Sequence, residues 1–348
     1  MNLEQLGWKD VFGEKDQSTV VARVISEQRQ IYKLHDGEDE WIGEVSGKFQ
    51  FQAKVKSDYP SVGDWVVIEP LKGENKAIIQ KVLPRMSQFS RQSAGDKTEE
   101  QVVAANIDYV FLVMALNNDF NIRRLERYLL VAYESGANPI IVLTKKDLCD
   151  DLPSRIAEVD EIAFGIPVYT VNSTNGEGIE EVKNLVSEGK TVSLLGSSGV
   201  GKSTLLNALI GESKQITQDV REGDDRGKHT TTHRELFFLP TGGMVIDTPG
   251  MRELQLWGGE DHLSSTFSDV DELAKSCKFS DCTHEKEPGC AVNEAISNGL
   301  LDAQRLTSYR KLMRELAYAE RKQDASLARI EKDKWKKMHK MMNTKSYK

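Results

Sequence analysis

The stretch Gly196-Ser197-Ser198-Gly199-Val200-Gly201-Lys202-Ser203 fits the pattern G-x-x-x-x-G-K-[ST] and constrains the fold more than any other part of the chain. Thr191-Val192-Ser193-Leu194-Leu195 before it reads as a short buried strand, and Thr204 to Ile210 after it reads as a helix stopped by Gly211. A glycine-rich turn between strand and helix curls the backbone so that successive N–H groups and the positive helix end face a polyphosphate. Lys202 is then placed to neutralise the outer phosphates, and the Ser203 hydroxyl to ligate Mg²⁺. Gly196 to Thr204 are the candidate phosphate residues, against the competing reading of a glycine-rich turn that binds nothing.

At 348 residues the chain has room for two or three domains, each with a core of its own. It has no run of about 18 apolar residues, so no membrane span is expected. Met1 to Asp10 has neither a basic region nor an apolar stretch, so no signal peptide is expected either. Of the 4 cysteines, Cys277, Cys282 and Cys290 crowd together, which fits a reducing, cytoplasmic setting with a metal site better than disulfides. The net charge of −8 hides an asymmetry, because residues 303–348 carry 14 Lys and Arg against 5 Asp and Glu. The acidic remainder repels RNA at long range, so a nucleic-acid contact must be local, and the basic tail is its obvious place.

Residues 1–17 read as a flexible arm. Over 18–85, five short strands are expected at 19–26, 30–34, 41–45, 64–68 and 77–82, separated by His35-Asp36-Gly37, Ser46-Gly47, Pro60-Ser61-Val62-Gly63 and Lys72-Gly73-Glu74. Five short strands in so few residues suggest a small closed barrel of the oligonucleotide-binding (OB) type. Its charges balance, 10 basic against 10 acidic over 18–90, so RNA binding and a spacer role stand level on residue content. Residues 86–105 read as a linker, and 106–260 as an α/β domain with buried strands at 109–114 and 139–143 and a helix at 122–133 between them.

The second of these strands runs into Thr144-Lys145-Lys146-Asp147, an [NT]-K-x-D pattern that suits guanine. A carboxylate such as Asp147 accepts from both N1–H and the exocyclic amine, a donor pair that adenine lacks, and the Lys145 stem can lie over the purine face. A further strand at 167–171 ends in Asn172-Ser173, where a backbone N–H can meet guanine O6. Beyond the phosphate loop, Gly227-Lys228-His229-Thr230-Thr231-Thr232 offers a threonine to Mg²⁺, with Thr231 the leading candidate and Thr230 and Thr232 as alternatives. The strand 244–246 ends in Asp247-Thr248-Pro249-Gly250; Asp247 would hold a Mg²⁺ water and the Gly250 N–H would touch the γ-phosphate.

Ordinary G proteins run phosphate loop, switch threonine, D-x-x-G and then the base reader; here the base-reading pair comes first. A sheet keeps its site when its termini move, since permutation is tolerated at surface loops. With a barrel before it and a cysteine cluster after it, this order resembles the ribosome small subunit-dependent GTPase A family (RsgA, also called YjeQ). The resemblance rests on TKKD (144–147), GSSGVGKS (196–203), GKHTTT (227–232), DTPG (247–250) and the cysteine cluster, over about residues 18–300. It implies a circularly permuted, mainly parallel α/β P-loop GTPase with an N-terminal five-stranded OB-type β-barrel and a C-terminal zinc-binding and helical domain. It further implies a GTP hydrolase stimulated by the small (30S) ribosomal subunit, a late-acting factor in 30S maturation that touches 16S rRNA through barrel and zinc domain. A monomer binding GTP and GDP, with no membrane partner, is expected. Thr144 stands where most G proteins keep Asn.

Cys277-x₄-Cys282-x-His284-x₅-Cys290 supplies three thiolates and an imidazole, the ligand set of one tetrahedral structural Zn²⁺ with no open position. Such a metal would hold together a segment too polar to fold on its own core, within a C-terminal region taken as 261–348. Cys149 lies outside the cluster and reads as a packing residue. From Leu301 to about Lys340 the composition is helical, with Leu306, Tyr309, Leu312, Met313, Leu316 and Ala319 as an apolar stripe; a solvated helix and an RNA-facing one both fit.

Where many GTPases keep a water-orienting Gln, after D-x-x-G, stands Met251, whose thioether is a weak acceptor. Slow hydrolysis by the isolated protein follows, with His229 the candidate catalytic group beside Lys202, swinging in when a partner orders its loop. Three other readings remain: an ATPase or kinase-like phosphoryl transferase, a permuted GTPase of large-subunit assembly, and an RNA-binding placeholder with little catalysis.

Overall fold

A computed structural model describes residues 1–13, 19–92, 100–211, 234–247, 261–318 and 321. The chain divides into two compact units, residues 1–91 with 100–255 and residues 92–99 with 256–348. His229, Thr231, Gly250 and Met251 lie outside the described residues, as does everything after Arg321.

The first unit begins with the barrel. Strands β1 (Val20–Gln28), β2 (Ile31–His35), β3 (Glu40–Val45), β4 (Trp65–Pro70) and β5 (Lys76–Val82) fall within two residues of the expected positions. They pair in the order β1-β2-β3-β5-β4, and a β1–β4 pairing closes the ring. Only β3 and β5 run parallel; the remaining barrel pairs are antiparallel. A short helix α1 (Gly47–Gln52), capped by the Ser46 hydroxyl, makes the crossing from β3 towards β4. Ala22, Val24, Tyr32, Leu34, Val66, Ile68, Ala77 and Ile79 fill the ring.

Two expectations about the surroundings of the barrel are corrected. Residues 1–13 of the expected flexible arm are packed down: Leu6, Trp8 and Phe12 cluster with Trp65, and the Trp8 and Trp65 rings meet edge-on at 4.9 Å. An arm carrying three large apolar residues buries them rather than leave them in water. Residues 86–105 are not a linker but a ribbon of β6 (Gln88–Gln92) and β7 (Glu100–Ala105). Phe89 and the run Val102-Val103-Ala104-Ala105 are buried, and Ala105 N–H donates to the Val62 carbonyl at 2.9 Å. The polar residues that made this stretch look like a loop hid a short apolar strand.

The α/β part follows as β8 (Tyr109–Ala115), α2 (Ile122–Ser135), β9 (Asn138–Thr144), α3 (Leu152–Asp160), β10 (Val168–Thr170), α4 (Ile179–Leu185), β11 (Thr191–Leu195), α5 (Lys202–Ile210), β12 (Arg234–Phe238) and β13 (Met244–Asp247). Strand order is β10-β9-β8-β11-β13-β12, parallel except for the antiparallel β12. The strands read as continuous apolar runs because helices cover both faces of a parallel sheet. β12 also pairs with β1, Ser26 opposite Glu235 and Glu27 opposite Arg234, so barrel and α/β sheet share one eleven-stranded sheet.

In the second unit, helices Asp261–Thr266, Ser268–Ala274 and Ala291–Ser297 are joined by a helix over 303–318. Phe267, Val270, Leu306, Leu312 and Leu316 are buried. The expected stripe is thus real as far as residue 318, and its continuation towards Lys340 lies outside the described residues.

Candidate functional site

β11 is buried throughout, and the loop that leaves its carboxyl end turns back over β8. At Gly196 a Cβ would lie 2.5 Å from the Val113 carbonyl oxygen, so only glycine lets the loop start there. Gly201 has φ +97°, a conformation that costs an L side chain strain, and it hands the chain to α5 at Lys202. Lys202 folds back over its own loop, its Nζ donating to the carbonyls of Gly196 at 2.7 Å and Ser197 at 2.6 Å. Ser203 and Thr204 stand exposed in the first turn of α5, while Val200 is buried beneath the loop. The helix starts two residues earlier than its apolar pattern suggested, since Lys202 and Ser203 carry no apolar signal.

The Thr144–Asp147 segment meets this loop directly. β9 lies next to β8, and β8 next to β11, so the carboxyl ends of β9 and β11 open on the same edge, where ligands bind in open α/β sheets. Thr144 at the end of β9 is buried, and its hydroxyl donates to the Val200 carbonyl. Lys145 adopts the left-handed conformation, φ +57°, and its Nζ donates to the Gly199 carbonyl at 2.7 Å. Asp147 sits two residues further on, in the 3₁₀ turn Lys146–Leu148. Lys146 turns aside and pairs with Glu177. Thr144, standing where most G proteins keep Asn, thus bonds to the phosphate loop through its hydroxyl.

After β10, Asn172 is buried, and its Oδ1 accepts from the N–H groups of Thr174 at 3.0 Å and Asn175 at 3.4 Å. Its side chain is used in shaping the turn. The Ser173 hydroxyl oxygen is buried with no hydrogen-bond partner. Asp247 ends β13, opposite Glu235 of β12 and one strand from β11. Thr144 to Asp147, Gly196 to Thr204 and Asp247 thus belong to strand ends of one sheet or to the turns and first helical turn that follow them, while His229, Thr231 and Gly250 lie outside the described residues. Cys149 is half-buried after the 3₁₀ turn.

Sequence reading missed three residues here. The Asp119 carboxylate takes a two-pronged contact from Arg124, at 2.8 and 3.1 Å, and accepts from the Ser197 hydroxyl at 3.0 Å. Tyr128 is a neighbour of Arg124 and Ser197, and burial raises the pKa of its hydroxyl. The Arg124 guanidinium, followed by the Ser197 bond, holds the Asp119 carboxyl below the usual carboxylate range. The only sequence signal was an Asp and an Arg five residues apart after a strand, which is common in solvated loops.

In the second unit, Cys277, Cys282, His284 and Cys290 bring one ligand atom each to within 4.8 Å of one another. Cys277 Sγ lies 3.6 Å from His284 Nδ1 and 3.9 Å from Cys290 Sγ, and Cys290 Sγ lies 3.5 Å from His284 Nδ1. A tetrahedral ion with metal–sulfur bonds of about 2.3 Å and a metal–nitrogen bond of about 2.0 Å needs edges of about 3.8 Å between sulfurs and about 3.5 Å from sulfur to nitrogen. The group could hold a metal. Burial, then the Arg310 cation, depresses the His284 pKa and favours the neutral imidazole a metal requires. The backbone N–H groups of Ala291 and Val292 face Cys277 Sγ, and that of Asn293 donates to Cys290 Sγ at 3.4 Å. Arg310 donates to the His284 carbonyl.

A sequence model of the RsgA GTPase family matches residues 82–257, and one described as 50S ribosome-binding GTPase matches residues 191–340. The second starts at the first residue of β11 and so leaves out the strands β8, β9 and β10. The chain is 50% identical over 97% of its length to small ribosomal subunit biogenesis GTPase RsgA 1 of Oceanobacillus iheyensis, covering 98% of that protein. It is 45% identical to the RsgA of Opitutus terrae, over 97% of this chain and 96% of that one. Among solved structures it resembles YjeQ from Thermotoga maritima, with TM-score 0.63, 29% identity, and 86% and 99% of the two chains covered. It also resembles YloQ, described as a circularly permuted GTPase, with TM-score 0.62, 25% identity, and 88% and 97% covered. Identity of this extent along nearly the whole chain, on a sheet in which β8, β9 and β10 precede the phosphate loop, establishes that the chain belongs to the RsgA GTPase family.

Proposed function

We propose that the protein binds GTP between the phosphate loop and the Thr144–Asp147 segment, hydrolyses it slowly alone, and turns over faster on the small ribosomal subunit during its late maturation. The observation that carries this reading is the Lys145 Nζ to Gly199 carbonyl bond, 2.7 Å long, which ties the base reader to the phosphate loop across 54 residues of chain. Asp147 accepts from guanine N1–H and N2–H, Lys145 covers the purine face, and a backbone N–H at Asn172-Ser173 meets O6. The amides of Gly196 to Thr204 and the Gly250 N–H hold the phosphates, and Lys202 leaves its loop carbonyls for the outer ones.

The exposed Ser203 hydroxyl, with Asp247 and Thr231, is a donor set of hard oxygens suited to Mg²⁺, which when bound neutralises charge on the β- and γ-phosphates. His229 orients the attacking water, a task the Met251 thioether cannot perform by a strong hydrogen bond. The Cys277, Cys282, His284 and Cys290 cluster holds one structural Zn²⁺; with four protein ligands no position is left for chemistry. The barrel and the zinc-binding domain contact 16S rRNA, with the basic tail as a further candidate RNA contact, and the protein acts as a cytoplasmic monomer. Among the described residues no helix is long and apolar enough to cross a membrane.

The test is GTP turnover by the purified protein alone, with small subunits and, as the comparison arm, with large ones. Stimulation by small subunits only is expected; equal rates in all three remove the ribosomal reading. A His229→Ala variant whose subunit-stimulated rate is undiminished removes the role of that histidine.

A further inference from the structure

We propose that Asp119 and Arg124 form a charge-balanced clamp on the phosphate loop, with Arg124 as a positioning residue that sets how strongly the loop holds a nucleoside triphosphate over a diphosphate. The inference rests on the reading of this loop as a GTP site. Local turn chemistry fixes both side chains: Asn117 Oδ1 accepts from Asp119 N–H at 3.1 Å, and Asn121 caps α2 by accepting from Arg124 N–H at 3.0 Å. The guanidinium then grips both Asp119 oxygens and donates from Nη1 to Ser197 Oγ at 2.6 Å. Ser197 Oγ in turn donates to Asp119 at 3.0 Å, while the carbonyl of the same residue accepts from Lys202 Nζ at 2.6 Å. Ser197 is thus held through its side chain by the clamp and through its backbone by the lysine that serves the phosphates.

The pair is poorly placed to serve the fold. Arg124 is 28% and Asp119 43% exposed, and ion pairs this open to water add little stability. A carboxylate hydrogen-bonded to a phosphate loop carries the wrong sign for a polyphosphate. The fork of Arg124 cancels that charge, and because a guanidinium stays protonated at any working pH, the cancellation is permanent. Removing Arg124 leaves the Asp119 charge facing the nucleotide, and the penalty grows with the charge of the ligand.

The experiment titrates full-length protein, with Mg²⁺ present, using fluorescent GDP and a fluorescent non-hydrolysable GTP analogue, and records thermal melts alongside. Arg124→Ala is expected to weaken the triphosphate on the order of tenfold and the diphosphate by about threefold, an effect that added salt shrinks. Asp119→Asn in the same chain as Arg124→Ala is expected to return both to within about twofold of wild type, because the unmatched charge is gone. Equal weakening of the two nucleotides, or a double variant no better than Arg124→Ala, overturns the proposal in favour of simple loop support. If Arg124→Ala does not fold, Asp119→Asn alone decides: it should hold the triphosphate at least as tightly as wild type, and weaker binding overturns the clamp. Wild-type protein that binds neither guanine nucleotide would instead sink the GTP reading, and the inference with it.

Discussion

Replacing Arg23 with Met tests how barrel and α/β sheet are joined. Arg23 lies on β1, on the face away from the barrel core, and is 1% exposed. Its guanidinium donates to the carbonyls of Leu6 in the N-terminal segment, Gly63 before β4 at 3.3 Å and Asn106 after β7 at 3.1 Å, and it approaches Met244 Sδ of β13 at 3.3 Å. Methionine matches the length of the stem but donates to none of them. Three hydrogen bonds from a charged donor are worth roughly 1.5–3 kcal/mol each. Against that stands the cost of burying the charge: desolvation, only partly offset by Asp108 and Asp64, pulls the Arg23 pKa down to about 10. That corresponds to about 3 kcal/mol, leaving a net destabilisation by Arg23→Met of about 4 kcal/mol. Urea denaturation followed by tryptophan fluorescence suits the question, since Trp65 lies 5.7 Å from the guanidinium. A loss below about 1 kcal/mol, with the unfolding slope unchanged, would refute the claim that this cation pins the joint.

Three shorter expectations follow. Asp147→Asn should exchange guanine for xanthine preference, because the amide offers a donor where the carboxylate accepted the exocyclic amine, and competition between GTP and XTP measures it; undiminished GTP preference would remove Asp147 from the base site. Metal analysis should find one zinc per chain, and a chelator should melt the segment 277–290, since binding energy of this kind is folding energy; a metal-free protein with an unchanged melt would leave the four ligands as spectators. Burial lowers the His35 pKa, and its Nδ1 accepts from the Gly37 N–H at 3.0 Å. Protonation therefore favours the unfolded chain: stability is intact above the ordinary histidine value of about 6.5 and declines as pH falls through it towards the folded-state value. Wild type should then lose more melting temperature between about pH 7.5 and about pH 5.5 than His35→Gln, and equal losses would discount His35.

The barrel strands, the parallel strands around the phosphate loop and the metal-ligand spacing were all legible in the sequence. Each is encoded locally, by alternating or continuous apolar runs punctuated by Gly, Pro and Asp, or by residue types a few positions apart. The TKKD pattern at 144–147 and the phosphate loop could be picked out from sequence, but their meeting was decided by sheet order, which sets β8 between β9 and β11. The strand β12 and the packed N-terminal segment escaped because their partners are remote, and the ribbon at 88–105 because its polar residues masked a short apolar strand. Arg234 of β12 meets Glu27 of β1 across 207 positions, and no periodicity along the chain records such a pairing. The clamp of Asp119 and Arg124 on Ser197 spans more than 70 positions in the same way, with Arg124 and Ser197 73 apart. Local patterns fix which residues turn inward, because burial repeats with the pitch of strand or helix. Which buried or charged group each one meets is settled only when the sheet closes, and there the backbone carbonyls of the phosphate loop found their two lysines.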